Sequence, residues 1–452
     1  MTTVQRKVKR PEESRLNIII IGAGLGGLGA AIALLLAGHH VTVLEAASEI
    51  GEIGAGIQVL PNSSRILISW GLRELLSRYA TQPEWLTLSG WKGNCLTRWN
   101  LHDADKRFGS PFWDFHRANL HRCLLDRTLE LGGSIQVNSR VMDVNCDSTA
   151  ATATVILQSG MKFVADLVVG ADGVNSKCRE ILLGYPDEPT PTGDLAYRLL
   201  LDTKKMRDDP ELAKFVEDPQ VNYWMGPDAH AVNYVLRGGE LFNMVLLVPD
   251  DMPHGARTLC GNVDEMRDLF KDWDPRIPKL LSLCTSVDKW KLCIRKGIAN
   301  WSHPSGTFTL LGDAVHATLP YLASGAGMSL EDGAVLGECL SRLPKTPFTS
   351  PQSRRELVKN ALSVYEACRK ERTEKIVERG NLQQHLYHLR DGEEQRERDR
   401  RVQMMPTEEG EVLVWRDPVF GKWLLSYQHV KDVDEHWPSA KGTTMRETQC
   451  RL

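Results

Sequence analysis

The hydrophobic pattern of the chain starts with an apolar run at residues 16–21, which the glycines Gly22, Gly24 and Gly27 follow. This arrangement predicts a buried strand that turns sharply into a helix, because glycine permits both the tight turn and close packing of the helix on the strand. Free backbone N–H groups and the helix dipole at such an N-terminus favour a pyrophosphate. The pattern therefore indicates a dinucleotide-binding turn.

A second apolar run at residues 40–44 predicts the next strand of the same unit, and Glu45 follows it directly. An acidic side chain at this point suits a ribose hydroxyl and repels the additional phosphate of NADP. The stretch 18–38 is long and apolar enough to imitate a transmembrane helix. Its six glycines and its strand-like start argue against a membrane span, and we expect none.

Patterns typical of strands and helices continue along the chain, and strands rich in Tyr, Val and Leu become frequent after residue 191. Strands are predicted at 85–101, 134–144, 153–157, 162–169, 195–201, 232–236 and 242–248. Apolar residues at helical spacing predict helices at 118–131, 326–342 and 354–378. The region between 191 and 296 is therefore predicted to form a substrate sheet, inserted between two parts of the first unit.

Composition narrows the classes of partner. The chain has 452 residues, of which 25% are charged, and a net charge of −3, so it carries no electrostatic footprint for nucleic acid or an anionic membrane. We expect small molecules as partners. The ten cysteines are scattered and contain no C-x-x-C pair. This spacing is typical of neither a zinc site nor a disulfide framework. We therefore expect no bound metal and a reducing, cytoplasmic setting.

Two later segments carry motifs that belong with the first glycine turn. The sequence VVGADG occupies residues 168–173, and TLLGDAVHATLP occupies residues 309–320. With the glycine turn, and in this order, these segments resemble the salicylate-hydroxylase-like, single-component FAD monooxygenases over roughly residues 17–375. The resemblance implies FAD as cofactor and NADPH or NADH as a transient reductant. No second glycine turn of this kind is present to bind a nicotinamide cofactor of its own.

The resemblance assigns FAD contacts to two polar residues. It places Asp313, which follows Gly312 and a predicted strand, against the ribityl chain of the flavin. It also makes Arg117, in the sequence DFHRANLH at residues 114–121, a candidate for contact with the FAD phosphates. The alternative for Arg117 is an ordinary surface charge at the start of a helix.

Two short loops of small residues are implied to pass close to the flavin ring. They contain Ala55 and Gly56, in the sequence GAGI, and Gly325 and Ala326, in the sequence SGAG. Small residues permit such a backbone approach. The family commonly has GQGAN where this chain has GAGMS, which leaves the hydrogen bonds of the second loop open. The helix after this loop is expected to point its N-terminus at the flavin, where the dipole favours negative charge.

The chemistry implied by the resemblance is oxygen transfer to an electron-rich ring. In such enzymes, reduced flavin and oxygen form a C4a-hydroperoxide that a phenolate attacks. A cation that lowers the pKa of a phenol by two units supplies about 2.7 kcal/mol. Arg198 resembles the substrate-orienting arginine of fungal dearomatising members, and Tyr234 resembles their phenol-contacting tyrosine. The resemblance thus implies Arg198 and Tyr234 as catalytic residues, the alternative being an ordinary salt bridge or aromatic pair.

Several alternatives stay open. The substrate is either a polyketide-derived or a salicylate-like phenol. Its hydroxylation is either simple, decarboxylative or dearomatising. A terpenoid or alkene epoxidase of the same flavin family would keep the FAD motifs, and a non-catalytic flavoprotein is the alternative from another class. A flavin-dependent halogenase is excluded because the W-x-W-x-I-P element is absent. We treat His316 and His230 as packed residues without a catalytic role.

The implied fold class is α/β, with a Rossmann-type FAD-binding domain, an inserted β-sheet substrate domain as in para-hydroxybenzoate hydroxylase, and a helical C-terminal segment. The expected order is a disordered basic tail without a signal peptide (1–15), the first part of the FAD-binding domain (16–190, with substrate-sheet strands near 85–115), the substrate domain (191–296), the second part of the FAD-binding domain (297–380) and a helical or looped C-terminal segment (381–452). We expect a monomer or homodimer.

Overall fold

The computed structural model describes residues 3–51 and 55–438. The strands are β1 Asn17–Ile21, β2 His40–Leu44, β3 Gly56–Val59, β4 Trp85–Gly90, β5 Cys95–Asn100, β6 Trp113–His116, β7 Ser134–Gln136, β8 Val141–Asp147, β9 Thr152–Leu157, β10 Lys162–Ala165, β11 Leu167–Gly170, β12 Thr190–Asp202, β13 Gln220–Gly226, β14 Ala229–Leu236, β15 Leu241–Pro249, β16 Thr258–Cys260, β17 Asp288–Ile294 and β18 Phe308–Leu310. The helices are α1 Leu25–Leu36, α2 Pro61–Ser69, α3 Arg73–Ser77, α4 Ala104–Phe108, α5 Arg117–Glu130, α6 Lys177–Leu183, α7 Lys204–Arg207, α8 Pro210–Glu217, α9 Val263–Leu269, α10 Arg276–Ser282, α11 Asp313–His316, α12 Gly325–Ser341, α13 Pro351–Tyr387, α14 Glu393–Gln403, α15 Phe420–Leu425 and α16 His429–His436.

A parallel sheet forms the base of the nucleotide-binding part. Among the described residues its strand order is β18-β11-β1-β2-β7. β1 lies in the middle, where Ile19 pairs with Val168 on one side and with Thr42 on the other. A strand that is buried on both faces needs an unbroken apolar run, which explains why residues 18–21 do not alternate with polar residues. The chain leaves β1 through the glycine turn into α1, which packs against α12.

A second, mixed sheet faces the parallel sheet across a cavity, so that the two sheets form its two walls. Among the described residues its order is β16-β17-β12-β15-β14-β13-β4-β5. Residues 85–100 thus pair with a sheet whose other strands come from residues 190–294. Successive side chains of a strand point to opposite faces. On β12, Leu195 and Tyr197 join the core beneath α9 and α10, whereas Ala196 and Arg198 face a cavity between the two sheets.

A short ribbon of β3 and β6 lies between the two walls. Asn243 on β15 accepts a hydrogen bond from Gly56 N–H with its Oδ1, at 2.7 Å. A Cβ atom on Gly56 would lie 2.6 Å from Tyr234 Oη and 2.5 Å from Asn243 Cγ. Only glycine permits this approach, so Gly56 sets the separation between the ribbon and the mixed sheet.

The long helix α13 joins the nucleotide-binding part to the C-terminal segment. It extends nine residues beyond the predicted end at residue 378, to Tyr387. The added part is held by contacts that are distant in the sequence, since Gly380 approaches Thr318 and the buried Gln383 donates to Val412 O at 3.0 Å. No helix in residues 3–51 and 55–438 is long and apolar enough to cross a membrane.

The expected disordered tail is wrong for residues 3–15. Arg10 is 4% exposed, and its guanidinium donates to Ala37 O at 2.9 Å and to Leu340 O at 3.1 Å. It also donates to Leu343 O at 3.0 Å. The last carbonyls of a helix have no partner within the helix, and a cation there is favourable. Arg10 therefore ties the ends of α1 and α12 together, and this role attaches the tail to the molecule.

Candidate active site

A cavity of about 310 Å³ lies between the nucleotide-binding sheet and the mixed sheet. This volume falls in the range of small-molecule sites. Of the residues predicted from the sequence, the cavity lining includes Gly24, Ala55, Gly56, Arg117, Arg198, Tyr234, Asp313, Gly325 and Ala326. Gly22, Gly27 and Glu45 lie outside that lining. The structure thus brings most of the predicted site to one place.

The glycines of the first turn have different reasons for being glycine. Gly22 has a φ of +106°, and a Cβ atom there would lie 2.5 Å from Ala171 O. A Cβ atom on Gly27 would lie 2.0 Å from Gly22 O. Gly24 has an ordinary extended backbone, with φ −71° and ψ −179°, and its Cβ atom would meet nothing within 4 Å. The protein itself leaves this space open towards the cavity, as a bound cofactor requires.

The helices that begin at the cavity without a side-chain cap include α1 and α12. The N-cap of α1 is Gly24, which has no side chain. The N-cap of α12 is Ser324, whose side chain makes no capping hydrogen bond. The first N–H groups of a helix have no partner within the helix, and the dipole adds partial positive charge there. Together with the open space at Gly24, these termini fit the pyrophosphate and the flavin ring of FAD.

Glu45 supports the glycine turn from outside the cavity. Its Oε2 accepts a hydrogen bond from Ala23 N–H at 2.8 Å, and its Oε1 accepts one from Ala47 N–H at 2.9 Å. The carboxylate therefore holds the backbone of the turn at the end of β2. A contact between Glu45 and a ribose hydroxyl stays a prediction.

Arg117 and Asp313 each stand at the first position of a helix. Arg117 begins α5, and its backbone N–H donates to Ala55 O at 2.8 Å, which joins this helix to the small-residue loop. Asp313 begins α11 directly after Gly312, whose φ of +64° favours glycine. The Asp313 side chain is exposed at the cavity. Gly54 of the same loop lies outside the described residues.

Arg198 and Tyr234 reach the cavity from neighbouring parts of the mixed sheet. The Arg198 guanidinium lies 4.7 Å from the centre of the Trp290 ring. Burial raises the pKa of Tyr234 well above its usual value, and the Arg198 charge opposes this only in part. Tyr234 therefore stays protonated and can donate a hydrogen bond.

Three polar residues of this wall were not found from the sequence as site residues. Gln58 lines the cavity, Asn243 holds Gly56, and the fully buried Asp114 pairs with Gln58. Asp114 begins the segment that pointed to Arg117, but nothing in its spacing indicated a buried acid. Gln58 and Asp114 meet because β3 pairs with β6, which lies more than fifty residues later in the chain.

The two histidines considered from the sequence are packed outside the cavity lining. His316 donates from Nε2 to Asp332 Oδ2 at 2.6 Å, beside the Trp301 ring. Burial alone would raise the pKa of Asp332, but the charges of His316 and Arg369 outweigh it and lower the pKa to about 2. His230 shares a 2.7 Å hydrogen bond with His388, and burial lowers its pKa well below the usual value.

A wider cleft of about 700 Å³ lies beside α13 and the C-terminal helices. Within the described residues, its walls hold a Cys368, Asp432 and His436 group with ligand atoms within 4.8 Å of one another. Asp432 already accepts a hydrogen bond from Tyr427 Oη–H at 2.6 Å, and burial raises the pKa of the Cys368 thiol to about 12. We assign no metal to this group. The glycine turns converge on the smaller cavity instead.

Comparison with known proteins places the chain in context. A family model described as FAD binding domain matches residues 15–379. FAD-dependent monooxygenase OpS4 of Beauveria bassiana (strain ARSEF 2860) is 39% identical over 426 residues, which cover 93% of this chain and 96% of that protein. A 3-hydroxybenzoate 6-hydroxylase of Polaromonas naphthalenivorans (strain CJ2) is 33% identical over 375 residues, 82% of this chain and 88% of the relative.

Solved structures agree with the fold. A salicylate hydroxylase in complex with its substrate superposes with a TM-score of 0.76 at 22% identity, over 95% of this chain and all of that chain. This likeness, with the family match, confirms the predicted α/β fold class.

Proposed function

The chain belongs to the FAD binding domain family and is a flavin monooxygenase with FAD as its cofactor; from that premise we propose that it hydroxylates a small phenolic aromatic compound with NADPH or NADH and O₂. The observation that carries the proposal is that Arg198 and Tyr234 line the same cavity as the N-termini of α1 and α12. Relatives that are named hydroxybenzoate hydroxylases support an aromatic substrate. A cytoplasmic setting and a monomer or homodimer belong to the same proposal.

The residues that would hold FAD surround the open space at Gly24. The N-terminus of α1 would take the pyrophosphate, Arg117 would contact the phosphates, and Asp313 would contact the ribityl chain. The N-terminus of α12, with Gly325 and Ala326, would face the flavin ring. When bound and reduced, FAD supplies the activation of O₂ that no amino-acid side chain provides.

The chain's own contribution to the reaction is control of the phenol. The Arg198 guanidinium would favour the phenolate, and a decrease of two units in the phenol pKa corresponds to about 2.7 kcal/mol. Tyr234, kept protonated by burial, would donate a hydrogen bond to the same oxygen. Burial of the ring in the cavity would keep water from the position that accepts oxygen.

The nicotinamide reductant would visit the shared cavity. Among the described residues, the parallel sheet has one glycine turn into a helix of the dinucleotide-binding kind. A separate site with the same architecture is therefore lacking in that part of the chain. The choice between NADPH and NADH is open in this proposal.

Product analysis under labelled oxygen tests the proposal. The flavin-loaded enzyme is incubated with NADPH, ¹⁸O₂ and a panel of 2-hydroxybenzoates and 2,4-dihydroxybenzaldehydes, and the products are weighed by mass spectrometry. Gain of one ¹⁸O atom is the expected result, and additional loss of carbon dioxide would indicate a salicylate-type reaction. Consumption of NADPH with only hydrogen peroxide as product, for every phenol tested, would contradict the proposal. The Arg198→Ala variant serves as the control that retains flavin.

A further inference from the structure

A buried chain of polar groups leads away from the cavity at Gln58. This side chain lines the cavity and is 7% exposed. Its Nε2–H donates to Asp114 Oδ1 at 3.2 Å, and Tyr223 Oη–H donates to its Oε1 at 3.4 Å. Buried polar groups are normally satisfied by hydrogen bonds, so these two contacts fix which way the amide points.

The backbone explains why these groups meet. Gln58 pairs directly with Asp114 in the ribbon of β3 and β6, so both side chains lie on the same face of the ribbon. Gly56, two residues earlier on β3, lies on this face as well and contacts Tyr234. The ribbon thus presents Gln58 beside the wall that carries the predicted phenol-binding residues.

Asp114 is the unusual member of the chain. It is fully buried, and its Oδ2 has no hydrogen-bond partner among the described residues. Burial raises the pKa of Asp114 well above its usual value, and the Gln58 hydrogen bond only partly opposes this. A neutral acid with Oδ2 protonated leaves Oδ1 free to accept the Gln58 N–H. The pair is thus stable without a buried charge.

The amide keeps binding capacity for a ligand. A glutamine side chain has two N–H donors, and Asp114 uses one of them. Within residues 3–51 and 55–438 the other donor has no protein acceptor, and it can meet an acceptor in the cavity. Two residues along a strand span about 6.6 Å. Gln58 therefore stands about this far along β3 from Gly56, beside which Tyr234 lies, so Gln58 and Tyr234 can reach different atoms of one ligand.

We propose that Gln58 is a specificity-determining residue, which binds the oxygen of a neutral carbonyl group on the same ligand whose phenol oxygen Arg198 and Tyr234 hold. This inference rests on the proposed function and names its substrate class, the acylated phenols. Asp114 and Tyr223 are positioning residues that orient the Gln58 amide. A neutral aldehyde or ketone suits this end of the cavity better than a carboxylate, because the Gln58 amide offers no positive charge to offset the cost of removing an anion from water.

Ligand titrations of the bound flavin test the inference without turnover. The visible absorbance of the flavin-loaded enzyme is followed while 4-hydroxybenzaldehyde, 4-methylphenol or 4-hydroxybenzoate is added. We expect the Gln58→Met variant to bind the aldehyde about tenfold more weakly and 4-methylphenol within about twofold of the wild type. Equal losses for both ligands, or no loss for the aldehyde, would overturn the inference.

Two further variants separate positioning from folding. Asp114→Asn keeps an acceptor for Gln58 and should keep the preference for the aldehyde over 4-methylphenol, whereas Asp114→Leu should lose it. A preference that survives in Asp114→Leu would show that Asp114 does not position Gln58. If one variant fails to bind flavin, the other two still decide the role of Gln58. A wild-type enzyme that responds to no phenol at all would instead contradict the proposed function itself.

Discussion

The two walls of the cavity are built in different ways. The cofactor wall consists mainly of backbone, namely the glycine turn at Gly24, the loop with Gly325 and the N-termini of α1 and α12. The substrate wall, which is the mixed sheet together with Gln58 of the ribbon, consists of side chains, above all those of Arg198, Tyr234 and Gln58 on three different strands. A wall made of backbone can bind the same cofactor in many proteins, whereas a wall made of side chains changes with the ligand.

This difference implies that the two walls can be damaged separately. A Cβ atom added to a glycine of the cofactor wall would collide either with the protein backbone or with the bound flavin. A shortened side chain on the substrate wall leaves the turn and the helix termini in place. Among changes at Gly27, Gly24, His39 and Gly56, the size of the expected effect decreases in that order.

The largest effect is expected at Gly27. In Gly27→Ala, the new Cβ atom would lie 2.0 Å from Gly22 O, and backbone cannot move away cheaply. We expect a loss of about 3 kcal/mol or more in the free energy of unfolding, together with loss of bound flavin. Thermal unfolding and the ratio of flavin to protein absorbance measure both. A variant with normal stability and full flavin would show that the turn is not packed as described.

Gly24→Ala is the matched substitution in the same turn. Its Cβ atom would meet no protein atom within 4 Å and would point into the cavity. We expect a fold of unchanged stability and an FAD affinity that is lower by about ten- to hundredfold. Fluorescence titration of the apoprotein with FAD gives the dissociation constant. Wild-type affinity would show that Gly24 does not approach the bound FAD.

Low pH is expected to lower the free energy of unfolding through His39, which follows α1 in the nucleotide-binding part. Burial, with a smaller effect of the Arg10 charge, lowers the pKa of His39 to about 3. The ring is neutral in the fold, because Nδ1 accepts from Leu16 N–H at 3.2 Å and Nε2–H donates to Leu340 O at 3.2 Å.

The unfolded chain binds a proton at His39 near pH 6.5 and the folded chain does not, so stability is complete above pH 6.5 and falls between pH 6.5 and 3. At pH 5 the loss amounts to about 2 kcal/mol. Urea unfolding at pH 7 and pH 5 should therefore show a smaller decrease for His39→Gln than for the wild type. Equal decreases would contradict a neutral His39, since the other buried histidines affect both proteins alike.

Gly56→Ala tests where the two walls meet. The new Cβ atom would collide with Tyr234 and Asn243, 2.6 and 2.5 Å away. We expect phenol binding to weaken about tenfold, as in Tyr234→Phe, while flavin content stays within about twofold of the wild type. If the flavin is lost and the phenol affinity of the remaining holoenzyme is normal, Gly56 belongs to the cofactor wall alone.

The contrast between the walls also explains what could be predicted from the sequence. The strand at 40–44 and the turn at Gly22, Gly24 and Gly27 are written in contiguous residues, and the structure has them where they were expected. Gln58 and Asp114 were not expected, because an alternating strand gives no sign of the partner it will meet. Arg10 was assigned to a disordered tail for a similar reason, since the carbonyls it binds at residues 340–343 are more than three hundred residues away.

One absorbance titration tests the separation of the walls most directly. Flavin-loaded Arg198→Ala and wild-type protein are compared by their flavin-to-protein absorbance ratio and by their response to an added phenol, with Arg198→Lys as the control that keeps the charge. For a phenol acidic enough to be ionised in solution at the pH of the titration, we predict an unchanged ratio and a phenolate dissociation constant that is about a hundredfold larger in Arg198→Ala, the equivalent of two pKa units. Loss of flavin from this variant, or phenol binding as tight as in the wild type, would contradict the account.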